Sequence, residues 1–217
     1  MSKQLKNAEE TQAILKVIAE MFPDAKRELD ANNNFELLIA VMLSAQTTDK
    51  AVNKVTPELF KRYPDASALA GAPLTEVSGL ISRIGMYNTK AKNIINTAKI
   101  LRDKYGGAVP ETVPELMELP GVGLKTATVV LGDAFNIPGI AVDTHVERVS
   151  KRLGLVRQNA NIEQIKSALE RKTPKEDWVK THHRLIFFGR YHCTAKRPNC
   201  ANCPLFDECL VGENYLR

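Results

Sequence analysis

Leu119-Pro120-Gly121-Val122-Gly123-Leu124-Lys125-Thr126-Ala127 is the stretch that decides the reading of this chain. A short helical stretch, Pro114 to Leu119, precedes it, and a strongly apolar helix, Thr126 to Phe135, follows. Two glycines at alternate positions allow φ > 0 and let a foreign backbone come close. The turn then feeds a helix N-terminus, whose free N–H groups and positive dipole end suit an anion. A helix–hairpin–helix that grips a DNA phosphate needs these features. Leu119, Gly121, Val122 and Gly123 are therefore candidate DNA contacts; the plain alternative is a tight connection between two packed helices.

Helical spacing extends outward from this turn in both directions. Ile14, Leu15, Ile18, Met21 and Phe22 line one face of a first helix, which Pro23 ends. Ala91, Ile94, Ile95, Ala98, Leu101 and Tyr105 step by three and four until Gly106 and Gly107. Further helices are expected at 35–46, 49–63, 75–82, 124–135, 144–153, 161–171 and 177–190. Nowhere do four or more residues alternate as a half-buried strand would. The fold class is all-α, and Asn136-Ile137-Pro138-Gly139 is the expected joint between domains, because it interrupts an apolar run.

At 217 residues, 44% hydrophobic and 25% charged, the chain suits one large or two modest globular domains. No apolar run reaches the roughly 18 residues of a membrane span, and MSKQLKNAEE lacks a signal-peptide core. An intracellular protein without a membrane partner is expected. The net charge of +5 favours a polyanionic partner only weakly, because 25 acidic residues are interspersed among 30 basic ones.

Lys125 falls in the first turn of the helix after the hairpin. A cation there opposes the helix dipole, which favours the free amine that attack on a sugar carbon requires. A surface lysine reaching for a phosphate is the equal alternative. Downstream, Thr144 and Glu147 of Val142-Asp143-Thr144-His145-Val146-Glu147 read as a capping box, which frees Asp143 for chemistry. A carboxylate near a sugar stabilises oxocarbenium charge or takes a proton from the incoming amine. Asp143 can also be the N-cap itself, and the two roles are compatible. His145, His182 and His183 read as packing or surface residues.

All four cysteines lie close together as C-x6-C-x2-C-x5-C: Cys193, Cys200, Cys203 and Cys209. An intracellular chain would not use them as disulfides. Four thiolates in one loop fit Zn²⁺ or an iron–sulfur cluster, and the uneven spacing leans towards a cluster. Such a centre has no open position for hydrolysis. It would hold the tail together and present Lys196 and Arg197 to phosphates.

With LPGVGLKTA, VDTHV and the cysteine tail in this order, and with Leu43-Ser44-Ala45-Gln46-Thr47-Thr48-Asp49 and Gly85-Met86-Tyr87-Asn88-Thr89-Lys90-Ala91, nearly the whole chain resembles the endonuclease III family. Members of that family are helix–hairpin–helix DNA glycosylases and AP lyases. The resemblance implies two all-α domains: a six-helix bundle at 27–137 with the hairpin, and a second domain from 1–26 and 138–217. The second domain would hold a [4Fe–4S] cluster on the four cysteines. Lys125 matches the catalytic lysine and Asp143 the essential aspartate, facing each other across the cleft. The implied chemistry is base flipping, attack of Lys125 on C1′, imine formation and β-elimination. The implied substrate is duplex DNA with oxidised or ring-damaged pyrimidines, or abasic sites. Gln46 matches a residue that fills the gap left by the flipped base. Met86 stands where relatives commonly carry a leucine wedge, and Phe187-Phe188-Gly189-Arg190 departs from a His-Gly-Arg pattern. A monomer is the default expectation.

Two rival readings bear on the same residues. Adenine-specific mismatch relatives usually carry serine at the Lys125 position and an extra C-terminal domain, whereas this chain stops eight residues after Cys209. A purely binding module would have no need for Lys125 together with Asp143.

Overall fold

Short polar side chains open most of the helices in the computed structural model, which describes residues 5–216. Asn7, Asn33, Thr48, Asp65, Thr112, Asp143 and Asn161 each accept a hydrogen bond from a backbone N–H in the first turn that follows. Asn7 with Glu10 and Asn161 with Gln164 close full capping boxes. The helices are α1 (Ala8–Met21), α2 (Asn34–Leu43), α3 (Asp49–Val52), α4 (Thr56–Arg62), α5 (Ala66–Ala70) and α6 (Leu74–Leu80). They continue as α7 (Tyr87–Tyr105), α8 (Val113–Met117), α9 (Leu124–Phe135), α10 (Thr144–Arg152), α11 (Ile162–Lys172) and α12 (Trp178–Phe187). Among the described residues there is no strand, as the periodicity predicts.

The helix expected at 49–63 is two helices. Residues 53–55 form a turn, and Pro57, which lacks an N–H, sits in the first turn of α4. The short α5 leaves no mark in the sequence pattern, since five residues of Ala, Ser and Leu carry too little periodicity.

Two compact units divide the chain: Glu28–Ile137, and Pro138–Arg217 together with the segment up to Arg27. In the first unit α2 is apolar on every face after its first turn, and Phe35 to Leu43 are buried throughout, Glu36 among them with Asn32 as its partner. Such a helix belongs at the centre of a core. α7 and α9 pack on it, and α5 and α6 cover α7. Asn136 ends α9 in the left-handed conformation at φ 53°, and the Ile137 N–H returns to the Leu131 carbonyl at 3.0 Å.

The second unit gathers Ile14 and Ile18 of α1 with Val146, Val149, Ile165, Leu169, Leu185 and Phe188. Each such buried side chain contributes about 2 kcal/mol. Lys172 Nζ donates to the carbonyls of Lys6 and Leu155 at 2.6 and 2.7 Å, and Lys6 pairs with Glu208. The N-terminal segment is thereby sewn to the cysteine-bearing tail. No helix among the described residues is long and apolar enough to cross a membrane.

Candidate active site and nucleic-acid interface

The hairpin turn closes through the Val122 N–H, which donates to the Leu119 carbonyl at 3.0 Å. Leu119 and Val122 are 1% and 6% exposed, so their side chains anchor the turn in the core. Their part in any anion site is to shape it. Gly121 adopts φ 83°, and a Cβ there would come within 2.7 Å of Asn93 Nδ2. Gly123 differs: it precedes α9 with φ −97° and ψ 176°, and a Cβ there would meet nothing within 4 Å. No side chain caps this 12-residue helix. The amides of Leu124, Lys125 and Thr126 therefore have no partner within the helix, beside an open approach over Gly123. Lys125 is exposed in that first turn.

Gln46 and Met86 sit at two exposed turns of the same unit, and both have left-handed backbones, at φ 54° and 56°. Non-glycine residues held there cost about 1–3 kcal/mol each, and such strain concentrates at functional sites. Met86 is 52% exposed and occupies the N-cap position of α7. One residue beyond Gln46, the Thr47 hydroxyl accepts a hydrogen bond from Lys90 Nζ at 2.7 Å. Lys90 is 6% exposed, and burial pulls its pKa below the usual lysine value. The same helix reaches the hairpin, where the Thr97 hydroxyl donates to the Pro120 carbonyl at 3.4 Å. Lys90, Asn93 and Thr97, at i, i+3 and i+7, thus set three polar groups along the buried side of α7 beneath the three exposed turns.

Asp143 is the N-cap of α10: its Oδ1 accepts from the N–H groups of His145 and Val146 at 2.9 and 2.8 Å. The capping box expected between Thr144 and Glu147 is not formed. An ionised carboxylate one residue earlier is the stronger acceptor, and Glu147 instead takes Lys151 at 2.6 Å across one turn. Upstream, His182 Nδ1 meets the Ala141 carbonyl at 2.8 Å, steadying the segment that carries Asp143.

The cysteine loop is tied to the same helix. Cys193, Cys200, Cys203 and Cys209 line one pocket with Leu153, Phe188 and Phe206. Burial pushes the Cys200 and Cys203 thiols up, and the neighbouring sulfurs add to the rise. Arg152 at the end of α10 donates to Cys193 Sγ at 3.4 Å, to the carbonyls of Thr194 and Ala195 at 2.7 and 2.9 Å, and to the Tyr215 hydroxyl at 2.8 Å. Arg148 donates to the carbonyls of Cys193 and Gly189 at 3.2 and 2.6 Å. Burial, then the neighbouring Arg152 charge, lowers the Arg148 pKa. Lys196 and Arg197 stand exposed on the loop these arginines hold.

Sequence reasoning missed Lys90, Arg148 and Arg152. Lys90 carried a signal: it lies four residues before Ile94, on the apolar stripe of α7, where a cation is out of place. The arginines carried none, because most of their partners are backbone carbonyls of a loop distant in sequence.

A glycine turn that feeds an uncapped helix start, on an all-α frame, is a helix–hairpin–helix suited to a nucleic-acid phosphate. Residues 39–175 match the model of the HhH-GPD superfamily base excision DNA repair protein. Endonuclease III of Bacillus subtilis (strain 168) is 52% identical over 207 residues, covering 95% of this chain and 94% of the relative. Endonuclease III of Escherichia coli (strain K12) is 44% identical over 200 residues, covering 92% and 94%. A solved structure of a trapped endonuclease III–DNA covalent intermediate superposes with a TM-score of 0.94 at 50% identity, covering 98% of this chain and 100% of the other. The chain belongs to the endonuclease III family, and is an enzyme of its bifunctional class, a base excision repair DNA glycosylase and AP lyase.

Proposed function

We propose that this enzyme removes oxidised or ring-damaged pyrimidines from duplex DNA and cleaves the resulting abasic site through an imine on Lys125. The observation that carries this reading is the placement of Lys125, exposed in the first turn of an uncapped helix directly after an open glycine. A DNA phosphate held over Gly123 by the free amides brings the sugar to the lysine. Asp143 commits Oδ1 to its cap, and Oδ2 is the oxygen that serves the reaction, as a proton acceptor or as the counter-charge to the developing sugar cation.

The neutral Lys125 amine forms a bond to C1′, and the base leaves with the glycosidic electron pair and gains a proton. Opening of the sugar ring gives the protonated imine. Loss of a C2′ proton then expels the 3′ phosphate by β-elimination, and water releases the lysine. Gln46 occupies the gap left by the flipped base, and Met86 is the apolar wedge between bases. Gly121 shapes the hairpin, and Lys196 and Arg197 add phosphate contacts.

Cys193, Cys200, Cys203 and Cys209 would hold a [4Fe–4S] cluster. The four thiols line a single pocket with Leu153, Phe188 and Phe206, and four soft donors gathered there suit iron–sulfur chemistry. When bound, the cluster supplies a rigid anchor for the loop. The protein acts as a monomer on DNA inside the cell.

The test is single-turnover incision of duplexes carrying one ring-saturated thymine, one oxidised purine, one abasic site or no lesion. Incision at the thymine lesion and the abasic site alone is expected. Incision confined to the purine lesion, or binding without any incision, would overturn the reading.

A further inference from the structure

A lysine in the first turn of a helix opposes the helix dipole, and a buried one also forfeits its hydration. Lys90 does both: it sits in the first turn of the 19-residue α7 and is 6% exposed. Its stem lies on the apolar stripe with Ala91, Ile94 and Ile95, where methionine or leucine would pack without either cost. Local rules broken together, without a gain in packing, mark a residue kept for another purpose.

What Lys90 touches indicates that purpose. Its N–H donates to the Met86 carbonyl at 3.0 Å, and its Nζ donates to the Thr47 hydroxyl at 2.7 Å. One residue therefore bonds the turn that bears Met86 and the residue next to Gln46. Both turn tips are strained, at φ 56° and 54°. Strain of this kind persists only where the surroundings over-determine it. The Thr47 N–H to Ser44 carbonyl bond, at 3.0 Å, closes the Gln46 turn but does not tie it to α7. The ammonium–hydroxyl bond does. Burial lowers the Lys90 pKa, as a site shielded from water should.

We propose that Lys90 is a positioning residue that locks the Gln46 turn to the start of α7, so that Gln46 and Met86 enter DNA as one preset pair. This rests on the reading of Gln46 and Met86 as DNA-inserting side chains. The lock lowers the cost of ordering two separate tips when the base flips, and so acts on binding of distorted DNA rather than on the bond-breaking steps.

The experiment uses full-length enzyme and a duplex with an uncleavable abasic analogue opposite 2-aminopurine, whose fluorescence rises when the base is unstacked. Lys90→Met and Thr47→Val each remove the bond; the second carries the test should the first fail to fold. Each is expected to blunt the fluorescence rise and weaken binding about tenfold, the loss of one charge-assisted hydrogen bond. Cleavage of abasic duplex should then show a raised KM with kcat nearly unchanged. Adding Gln46→Ala to Lys90→Met should cost little more than either alone, since both act through one insertion. If Gln46→Ala and Met86→Ala blunt the signal while Lys90→Met and Thr47→Val do not, the lock is wrong and the insertion reading stands. Full additivity of Lys90→Met with Gln46→Ala also overturns the lock. If Gln46→Ala and Met86→Ala leave the signal unchanged, the insertion reading fails, and the lock fails with it.

Discussion

Asp143 accepts the Val146 N–H at 2.8 Å through the same oxygen that accepts from His145, so one carboxylate oxygen starts α10 and the other lies outside the cap. Structural and chemical roles of this residue can therefore be separated by substitution. Asparagine caps helices about as well as aspartate, whereas alanine costs about 1 kcal/mol. Asp143→Asn should keep the thermal stability of the parent and still lose about a hundredfold or more in single-turnover base excision, the usual worth of a positioned acid or base. Asp143→Ala should lose both. An Asn variant of full activity would confine Asp143 to capping.

Gly121 and Gly123 stand two residues apart and should respond differently. Gly121→Ala forces an L side chain to φ 83° against Asn93, a destabilisation of about 1–2 kcal/mol. Gly123→Ala meets no protein atom within 4 Å. It should shift stability by less than about 1 kcal/mol, the cost of alanine at an N-cap. A DNA backbone approaching that site would meet the new methyl group, so affinity for abasic duplex should fall about tenfold. Thermal melts and binding isotherms on the two variants check this; unchanged affinity in a folded Gly123→Ala would remove the hairpin from the interface.

Arg152 ties Cys193 Sγ, Thr194, Ala195 and Tyr215 to the end of α10. Lysine offers one point charge in place of this planar fork. Arg152→Lys and Arg152→Met should fold with iron bound and lose it to a chelator about tenfold faster or more, because bonds to charged groups are worth about 1.5–3 kcal/mol each. The decay of visible absorbance and the iron content report this directly. Retention equal to the parent would show that the cysteines need no such tether.

Much of this architecture is legible in the chain itself, and the gaps have physical causes. The apolar spacing of Ala91 to Tyr105 and the glycine turn at 121–123 mark α7 and the hairpin because period and φ demands are written in residue type. The spacing of the four cysteines likewise closes into one pocket. By contrast, the left-handed backbones of Gln46 and Met86 are invisible, since neither residue favours that conformation. Asp143 and Thr144 both make good caps, and only the fold decides that Asp143 takes the place. Asn93 and Thr97 read as solvated surface until Asn93 is seen lying against Gly121 and Thr97 bonded to the Pro120 carbonyl.

Everything proposed for the reaction depends on Lys125 forming the covalent bond to the sugar. Borohydride trapping on a duplex with one abasic site tests it, with wild type and Lys125→Ala compared on a denaturing gel. Reduction of the imine should give a protein–DNA adduct with wild type and none with the variant, which should still bind the duplex. An adduct of undiminished yield from Lys125→Ala, or none from wild type that binds the DNA, would show that Lys125 is not the nucleophile.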